Sequence, residues 1–120
     1  MSHIETLTQP TIGAALSQPG ILVIDFWAPW CGPCRTMAPQ LDRAARLRPQ
    51  YRFAKINVDE QPTVANAFEI RSIPTLVVIR DGQVIGASPG VIAAEQLVAA
   101  LDQFAAEPVT EPELREGAIR

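Results

Sequence analysis

Apolar residues group into short strand-like runs separated by longer runs with helical spacing. Ile21–Trp27 is an unbroken apolar, β-branched stretch with a single acid, which predicts a central strand covered on both faces. Residues 53–59 alternate between apolar and polar positions in the manner of a strand. Thr75–Arg80 and residues 83–87 flank Asp81-Gly82, a two-residue signal for a tight antiparallel hairpin. The pattern therefore predicts at least four strands.

Helices are predicted between these strands. Helical spacing of apolar residues indicates helices at 11–18, at 32–48 and at 95–105, and residues 62–68 suit a short helix with proline in its first turn. Pro39 lies inside the second of these helices, where it removes one backbone donor, so we expect a kink there and not an end.

The order of elements indicates an α/β fold. Strands that alternate with helices and finish in a hairpin predict a mixed sheet with helices on both faces, and residues 4–7 are the candidate for a first strand. We assign residues 1–106 to one domain. Residues 107–120 hold two prolines, four glutamates and few large apolar residues, so we expect a flexible acidic tail.

Composition narrows the range of functions. The chain has 120 residues, 48% of them hydrophobic, which suffices for one core, and its formal net charge is -3, so no basic excess favours nucleic acid or anionic membrane. No apolar run reaches the roughly 20 residues that span a bilayer. The first residues lack a basic segment followed by an apolar one, so we expect a cytoplasmic protein with no membrane association.

The only two cysteines are Cys31 and Cys34. A bridge between them closes a very short loop and is a poor structural staple. Structural zinc needs about four ligands, and the chain adds only His3, so we expect no bound metal. Cys31 lies where a strand passes into a helix, near unpaired backbone N–H groups and the positive end of the helix dipole, which stabilise the thiolate that attacks disulfides. The pair is therefore interpreted as redox-active.

The sequence resembles the thioredoxin family over residues 4–106. The resemblance is carried by the segment from Asp25 to Cys34, which contains Trp-Cys-Gly-Pro-Cys, and by further landmarks in the family's order and spacing. These landmarks are Pro39, Lys55, Ile73-Pro74-Thr75, Asp81-Gly82 and Gly90. The resemblance implies a thioredoxin fold and a protein-disulfide reductase without a bound cofactor, in which Cys31 attacks and Cys34 resolves. It further implies electron supply from an NADPH-dependent thioredoxin reductase, and we expect a monomer.

Two further residues take catalytic roles from the resemblance. Asp25, an acid in an apolar strand, should have its pKa raised by burial, and in the family this acid assists proton transfer at the second cysteine. The simpler interpretation is a buried acid satisfied by local hydrogen bonds. Lys55, the only lysine, should lie on the strand beside Asp25, as its counterpart does in thioredoxins. Without that neighbour it is an ordinary exposed lysine.

The resemblance also implies a substrate-binding rim. Ile73-Pro74 resembles the family's cis-proline turn, although base rates alone favour a trans bond because only about 5 to 6% of X-Pro bonds are cis. The rim should be flat and partly apolar, and Trp27 should pack beside it. Ser88-Pro89 departs from the family's usual residues before the loop glycine, so that side is expected to differ in shape. The predicted substrate-binding residues are Trp30, Gly32, Pro33, Ile73, Pro74 and Gly90.

Two alternatives remain at this point. A disulfide oxidase or isomerase of the same fold is disfavoured by Gly32-Pro33, which resembles the dipeptide of reductants, whereas a histidine beside the second cysteine makes a pair more oxidising. A non-catalytic binding subunit is the second alternative. The presence of Asp25 together with both cysteines argues for redox chemistry instead.

Overall fold

The computed structural model of the protein describes residues 4–107. Within that range five strands and four helices follow one another along the chain. The strands are β1 Ile4–Thr6, β2 Ile21–Trp27, β3 Arg52–Asn57, β4 Thr75–Arg80 and β5 Gln83–Pro89. The helices are α1 Gln9–Leu16, α2 Gly32–Leu47, α3 Pro62–Ala67 and α4 Ala94–Ala106. Of the tail predicted at 107–120, residues 108–120 lie outside the described residues.

The five strands form one mixed sheet in the order β1-β3-β2-β4-β5. β1, β3 and β2 are parallel, whereas β4 is antiparallel to β2 and β5 is antiparallel to β4. β2 therefore lies in the middle, hydrogen-bonded on both sides. This arrangement confirms the predicted mixed sheet and explains why the sequence of β2 is apolar nearly throughout.

The core has two halves, one on each face of the sheet. Side chains alternate along β2, so Leu22 and Ile24 pack with α1 and α3, while Ile21 and Val23 pack with α2 and α4. The same alternation directs Asp25 towards the α2 face. The acid thus lies under the helix that begins at the cysteine pair.

The first helix was predicted two residues too late. It was expected at 11–18 but runs over Gln9–Leu16. The backbone N–H of Thr8 donates to Oγ1 of Thr11 at 2.8 Å, and Pro10 occupies the first turn, where its missing N–H costs nothing. These polar start signals outweigh the weak apolar pattern on which the prediction relied.

The third strand was predicted at 53–59 and ends earlier, at Asn57. The side-chain Oδ1 of Asn57 accepts hydrogen bonds from the backbone N–H groups of Asp59 at 2.9 Å and Glu60 at 3.3 Å. An asparagine that bonds its own following backbone forms a turn, and this turn ends the strand.

The predicted hairpin is confirmed, and its second strand is longer than expected, reaching Pro89 instead of residue 87. Proline is tolerated there because β5 is an edge strand. The turn residues Asp81 and Gly82 have φ of 52° and 83°. A Cβ on Gly82 would lie 2.9 Å from the backbone oxygen of Leu16, so the turn requires glycine for both conformation and space.

The remaining boundaries agree with the predictions to within one residue. The first strand ends at Thr6, α2 ends at Leu47, α3 spans Pro62–Ala67 and α4 spans Ala94–Ala106. α2 continues through Pro39 without ending, as expected, and the kink stays a prediction. No helix within residues 4–107 is long and apolar enough to cross a membrane.

Candidate active site

The cysteine pair lies at the junction of β2 and α2. Cys31 is the N-cap residue of α2, with extended backbone, and Cys34 lies one turn inside the helix. The two form a disulfide with a Cα–Cα distance of 5.3 Å, and the backbone N–H of Cys34 donates to Sγ of Cys31 at 3.2 Å. The Cys31 sulfur therefore accepts one of the N–H groups that the start of the helix leaves unpaired.

Both cysteines are buried in this disulfide form. Each is 4% exposed, while Gly32 and Pro33 between them are exposed. Because Cys31 lies nearest the helix start and Cys34 one turn inside, we expect the more accessible sulfur on Cys31, but the exposed fractions of the two residues are equal. Both are buried because Ala28 and the partly buried Trp27, Val58 and Ile73 pack against the pair.

The cis-proline turn lies against the disulfide. The Ile73-Pro74 bond is cis, as the resemblance implied, and the carbonyl oxygen of Ile73 lies 3.8 Å from Sγ of Cys31. The backbone N–H of Gly90 donates to the carbonyl of Pro74 at 2.8 Å. This bond brings the loop after β5 next to the turn and places Gly90 on the same side of the molecule as Cys31.

Trp30 is the most prominent apolar group beside the pair, with 66% of its surface exposed. Its indole Nε1–H donates to Oδ2 of Asp59 at 2.8 Å. Asp59 was not among the predicted site residues. Because β3 is parallel to β2, residues that follow the two strands lie at the same sheet edge, and this topology was the available signal.

Asp25 lies beneath the cysteines and is only 4% exposed. It is paired in register with Lys55 of β3, as predicted. Burial raises the pKa of Asp25 from its ordinary 3.8 to about 6, and the positive charge of Lys55 opposes the rise. The predicted direction of the shift is confirmed. Among the described residues, Oδ1 of Asp25 has no hydrogen-bond partner, which disfavours the alternative of a locally satisfied acid.

A cavity of about 480 Å³ connects these groups under α2. The indole N–H of Trp27 also lacks a partner within residues 4–107, and Nζ of Lys55 lies 5.3 Å from the Trp27 ring centroid, at cation–π distance. Trp27 packs against the cysteines, as predicted. The cavity is lined by Ile4, Asp25, Trp27, Cys34, Ala38, Pro39, Leu41, Asp42 and Lys55.

The described part of the chain contains no cluster of three or more His, Cys, Asp or Glu side chains arranged to hold a metal ion. The chemistry that the geometry itself displays is that of the Cys31–Cys34 disulfide, with a buried acid behind it and a partly apolar surface in front of it.

Comparison with known proteins identifies the family. The thioredoxin family model matches residues 3–103. The chain belongs to the thioredoxin family. It is 40% identical over 105 residues to thioredoxin 1 of Synechococcus elongatus, a match that covers 86% of this chain and 98% of that one. It is 42% identical over 85 residues to a thioredoxin of Staphylococcus aureus, with 70% and 82% covered.

Solved structures agree with this assignment. The crystal structure of a Malassezia sympodialis thioredoxin superposes with a TM-score of 0.79 at 30% identity, covering 88% of this chain and 94% of that one. The fold of the chain is thus that of a thioredoxin, and Cys31 and Cys34 lie in a Cys-Gly-Pro-Cys motif. The chain is a thiol–disulfide oxidoreductase, a thioredoxin-type protein-disulfide reductase.

Proposed function

We propose that Cys31 is the attacking residue and Cys34 the resolving one. In the reduced protein the Cys31 thiolate attacks one sulfur of a substrate disulfide, the substrate S–S bond breaks, and the leaving sulfur departs as a thiolate that takes up a proton. Cys34 then loses its proton and attacks Cys31, which forms the Cys31–Cys34 disulfide and releases the second substrate sulfur. Two electrons pass from the protein to the substrate.

One observation carries this assignment. The N–H of Cys34 donates to Sγ of Cys31 at the start of α2, so the helix offers a donor and its positive end to Cys31. A thiolate at this position is stabilised, and its attack is favoured. Cys34 lies further inside the helix and lines the cavity that also contains Asp25.

Asp25 is proposed as the proton acceptor for Cys34 and as the donor in the reverse step. A carboxyl with pKa about 6 exchanges protons near neutral pH more readily than an ordinary aspartate. Lys55 is proposed to limit the rise in the pKa of Asp25 by its charge. Asp25, Lys55 and Cys34 line the same cavity, and this cavity has room for water between the acid and the thiol.

The surface in front of Cys31 is proposed to bind an extended segment of the substrate. The carbonyl of Ile73 lies beside the sulfur, and the exposed indole of Trp30 offers apolar contact. Backbone groups next to a reactive sulfur suit recognition of main chain, which every protein substrate shares. The residues of this rim are Trp30, Gly32, Pro33, Ile73, Pro74 and Gly90.

The electron donor is proposed to be an NADPH-dependent thioredoxin reductase, and the working unit a monomer. A single chain supplies both cysteines, the acid and the rim. The cytoplasm is the proposed location, because a dithiol that donates electrons must be kept reduced, and Gly32-Pro33 resembles the dipeptide of reductants. A role in cellular redox homeostasis through electron transport to protein disulfides follows.

A coupled assay tests this proposal. NADPH oxidation is followed with a thioredoxin reductase, insulin as the disulfide substrate and this protein at catalytic concentration. We expect turnover that requires the protein and disappears in Cys31→Ser. Turnover with dithiothreitol but none with the reductase would contradict the proposed electron donor, and no turnover with either would contradict the proposed mechanism. Elution of the oxidised protein as a dimer in light-scattering chromatography would contradict the monomer.

A further inference from the structure

The start of α4 is capped by a side chain from another helix. The N-cap residue of α4, Ala93, has no side chain that could cap it. Instead, the backbone N–H of Ala94 donates to Oε1 of Gln40 at 2.8 Å. Ala94 is fully buried, so water does not replace this partner readily. Gln40 belongs to α2, the helix that begins at the redox pair.

A second group of α2 contacts the same loop. The backbone N–H of Ile92 donates to Sδ of Met37 at 3.5 Å, and Met37 is fully buried. Met37 and Gln40 are three residues apart and lie on one face of α2. Two side chains of the redox helix therefore hold two backbone N–H groups at the end of the loop that joins β5 to α4.

The other end of this loop reaches the disulfide. The loop begins at Gly90, whose N–H donates to the carbonyl of Pro74 at 2.8 Å. The preceding carbonyl, that of Ile73, lies 3.8 Å from Sγ of Cys31. Two connections therefore run between the redox pair and this loop. One follows α2 from Cys31 to Gln40 and reaches Ala94, and the other runs from Cys31 through the cis-proline turn to Gly90.

We propose that Gln40 is a positioning residue that fixes the loop at residues 90–93, and with it one side of the substrate-binding rim, relative to the Cys31 sulfur. This inference rests on the proposed role of that rim. Gln40 touches no reacting atom, so its loss should leave the chemistry of Cys31 intact and weaken the binding of substrates that contact Gly90. Large protein disulfides depend on that contact, whereas a small disulfide reaches the sulfur without it.

Three variants test the proposal. Gln40→Leu keeps the size of the side chain and removes the acceptor. Gln40→Glu retains an acceptor, and its negative charge is favourable near a helix N-terminus. Arg43→Leu is the matched control, because Arg43 pairs with Glu95 and so also joins α2 to α4, but it does not contact the loop through that pair.

Single-turnover oxidation of the pre-reduced proteins is measured against concentration of insulin and of 5,5′-dithiobis(2-nitrobenzoate). For Gln40→Leu we expect the half-saturating insulin concentration to rise about 2- to 10-fold, the range that corresponds to one hydrogen bond, with an unchanged limiting rate and no change for the small disulfide. Gln40→Glu and Arg43→Leu should resemble the unmodified protein. Equal effects on both substrates, or an equal effect in Arg43→Leu, would overturn the proposal.

Amide hydrogen exchange provides a readout that needs no substrate. In Gln40→Leu the N–H groups of Gly90 and Ile92 should exchange about 2- to 10-fold faster relative to those of β2, and in Arg43→Leu they should not. Unchanged exchange at both amides would contradict the proposal. If the unmodified protein does not reduce insulin, the proposed function fails, and the exchange comparison still decides whether Gln40 positions the loop.

Discussion

Asp25 and Lys55 are register partners on neighbouring parallel strands, in the middle of the sheet. Asp25 is only 4% exposed, and burial of its charge costs more than the attraction to Lys55 gains. The pKa of Asp25 is therefore raised to about 6. Stability and activity are therefore expected to place opposite demands on this residue.

The first prediction concerns stability and pH. The pKa of Asp25 is about 6 in the folded protein and near 3.8 when unfolded, so the folded state binds the proton more tightly, and the free energy of unfolding falls as pH rises from about 4 to above 6. This difference corresponds to about 3 kcal/mol at pH 7. Asp25→Asn removes the buried charge and should be more stable by about 1–3 kcal/mol at pH 7. The buried amide of the asparagine offsets part of the gain, and the gain should be smaller near pH 4. Urea denaturation of the oxidised proteins checks this, and a gain independent of pH would contradict it.

The same substitution should slow the redox reaction. Without an acceptor for the Cys34 proton, resolution of the mixed disulfide should be about 10²- to 10⁴-fold slower, the usual contribution of a general base. The rate is measured by stopped-flow reduction of a protein disulfide between about pH 6 and 9, a range that includes the pKa of a free thiol. Full turnover in Asp25→Asn would reduce Asp25 to a structural role.

The nucleophile assignment predicts a difference between the two single-cysteine variants. Cys34→Ser retains Cys31 at the N-terminus of α2, so the Cys31 thiol should have the lower pKa and should react faster with iodoacetamide near neutral pH. Cys31→Ser, which retains only Cys34, should react more slowly. Rates measured against pH check this, and faster alkylation of Cys34 would reverse the assignment.

Alanine should have opposite effects on stability at two glycines, Gly82 in the hairpin turn and Gly13 in α1. Gly82 has φ of 83°, and a Cβ there would lie 2.9 Å from the Leu16 oxygen, so Gly82→Ala should lower the free energy of unfolding by about 1–3 kcal/mol. Gly13 is in α1 with open space around it, so Gly13→Ala should raise the free energy of unfolding by about 0.5–1 kcal/mol. Chemical denaturation compares them, and equal effects would contradict the turn geometry.

Three features that the sequence predicted correctly have a local signal, whereas the pairing of Lys55 with Asp25 and the cis Ile73-Pro74 bond were implied by the family resemblance. The acid within apolar β2 predicted a buried carboxyl, Asp81-Gly82 predicted the hairpin, and the position of Cys31 after a strand predicted the start of α2. Each depends on residues adjacent in the chain, so pattern and propensity are sufficient.

The two contacts of the site that were missed depend on pairs of residues far apart in sequence, whereas the wrong boundaries of α1 and β3 came from local hydrogen bonds that the apolar pattern does not show. Hydrogen bonds join Trp30 to Asp59 and Ala94 to Gln40. No periodic pattern in the sequence marks either pair. They follow from how the strands align and how α2 packs against α4. A polar side chain in a helix, such as Gln40, looks like an ordinary surface residue until the packing of its neighbour is known.

The most direct test of the mechanism is the site of the mixed disulfide with a substrate. Reduced Cys34→Ser and Cys31→Ser are each mixed with insulin, quenched with acid and analysed by peptide mass spectrometry. The mechanism predicts a stable adduct between an insulin chain and Cys31 in Cys34→Ser, because no resolving thiol remains, and little or none in Cys31→Ser. An adduct that forms mainly through Cys34 would contradict the assignment of Cys31 as the attacking residue.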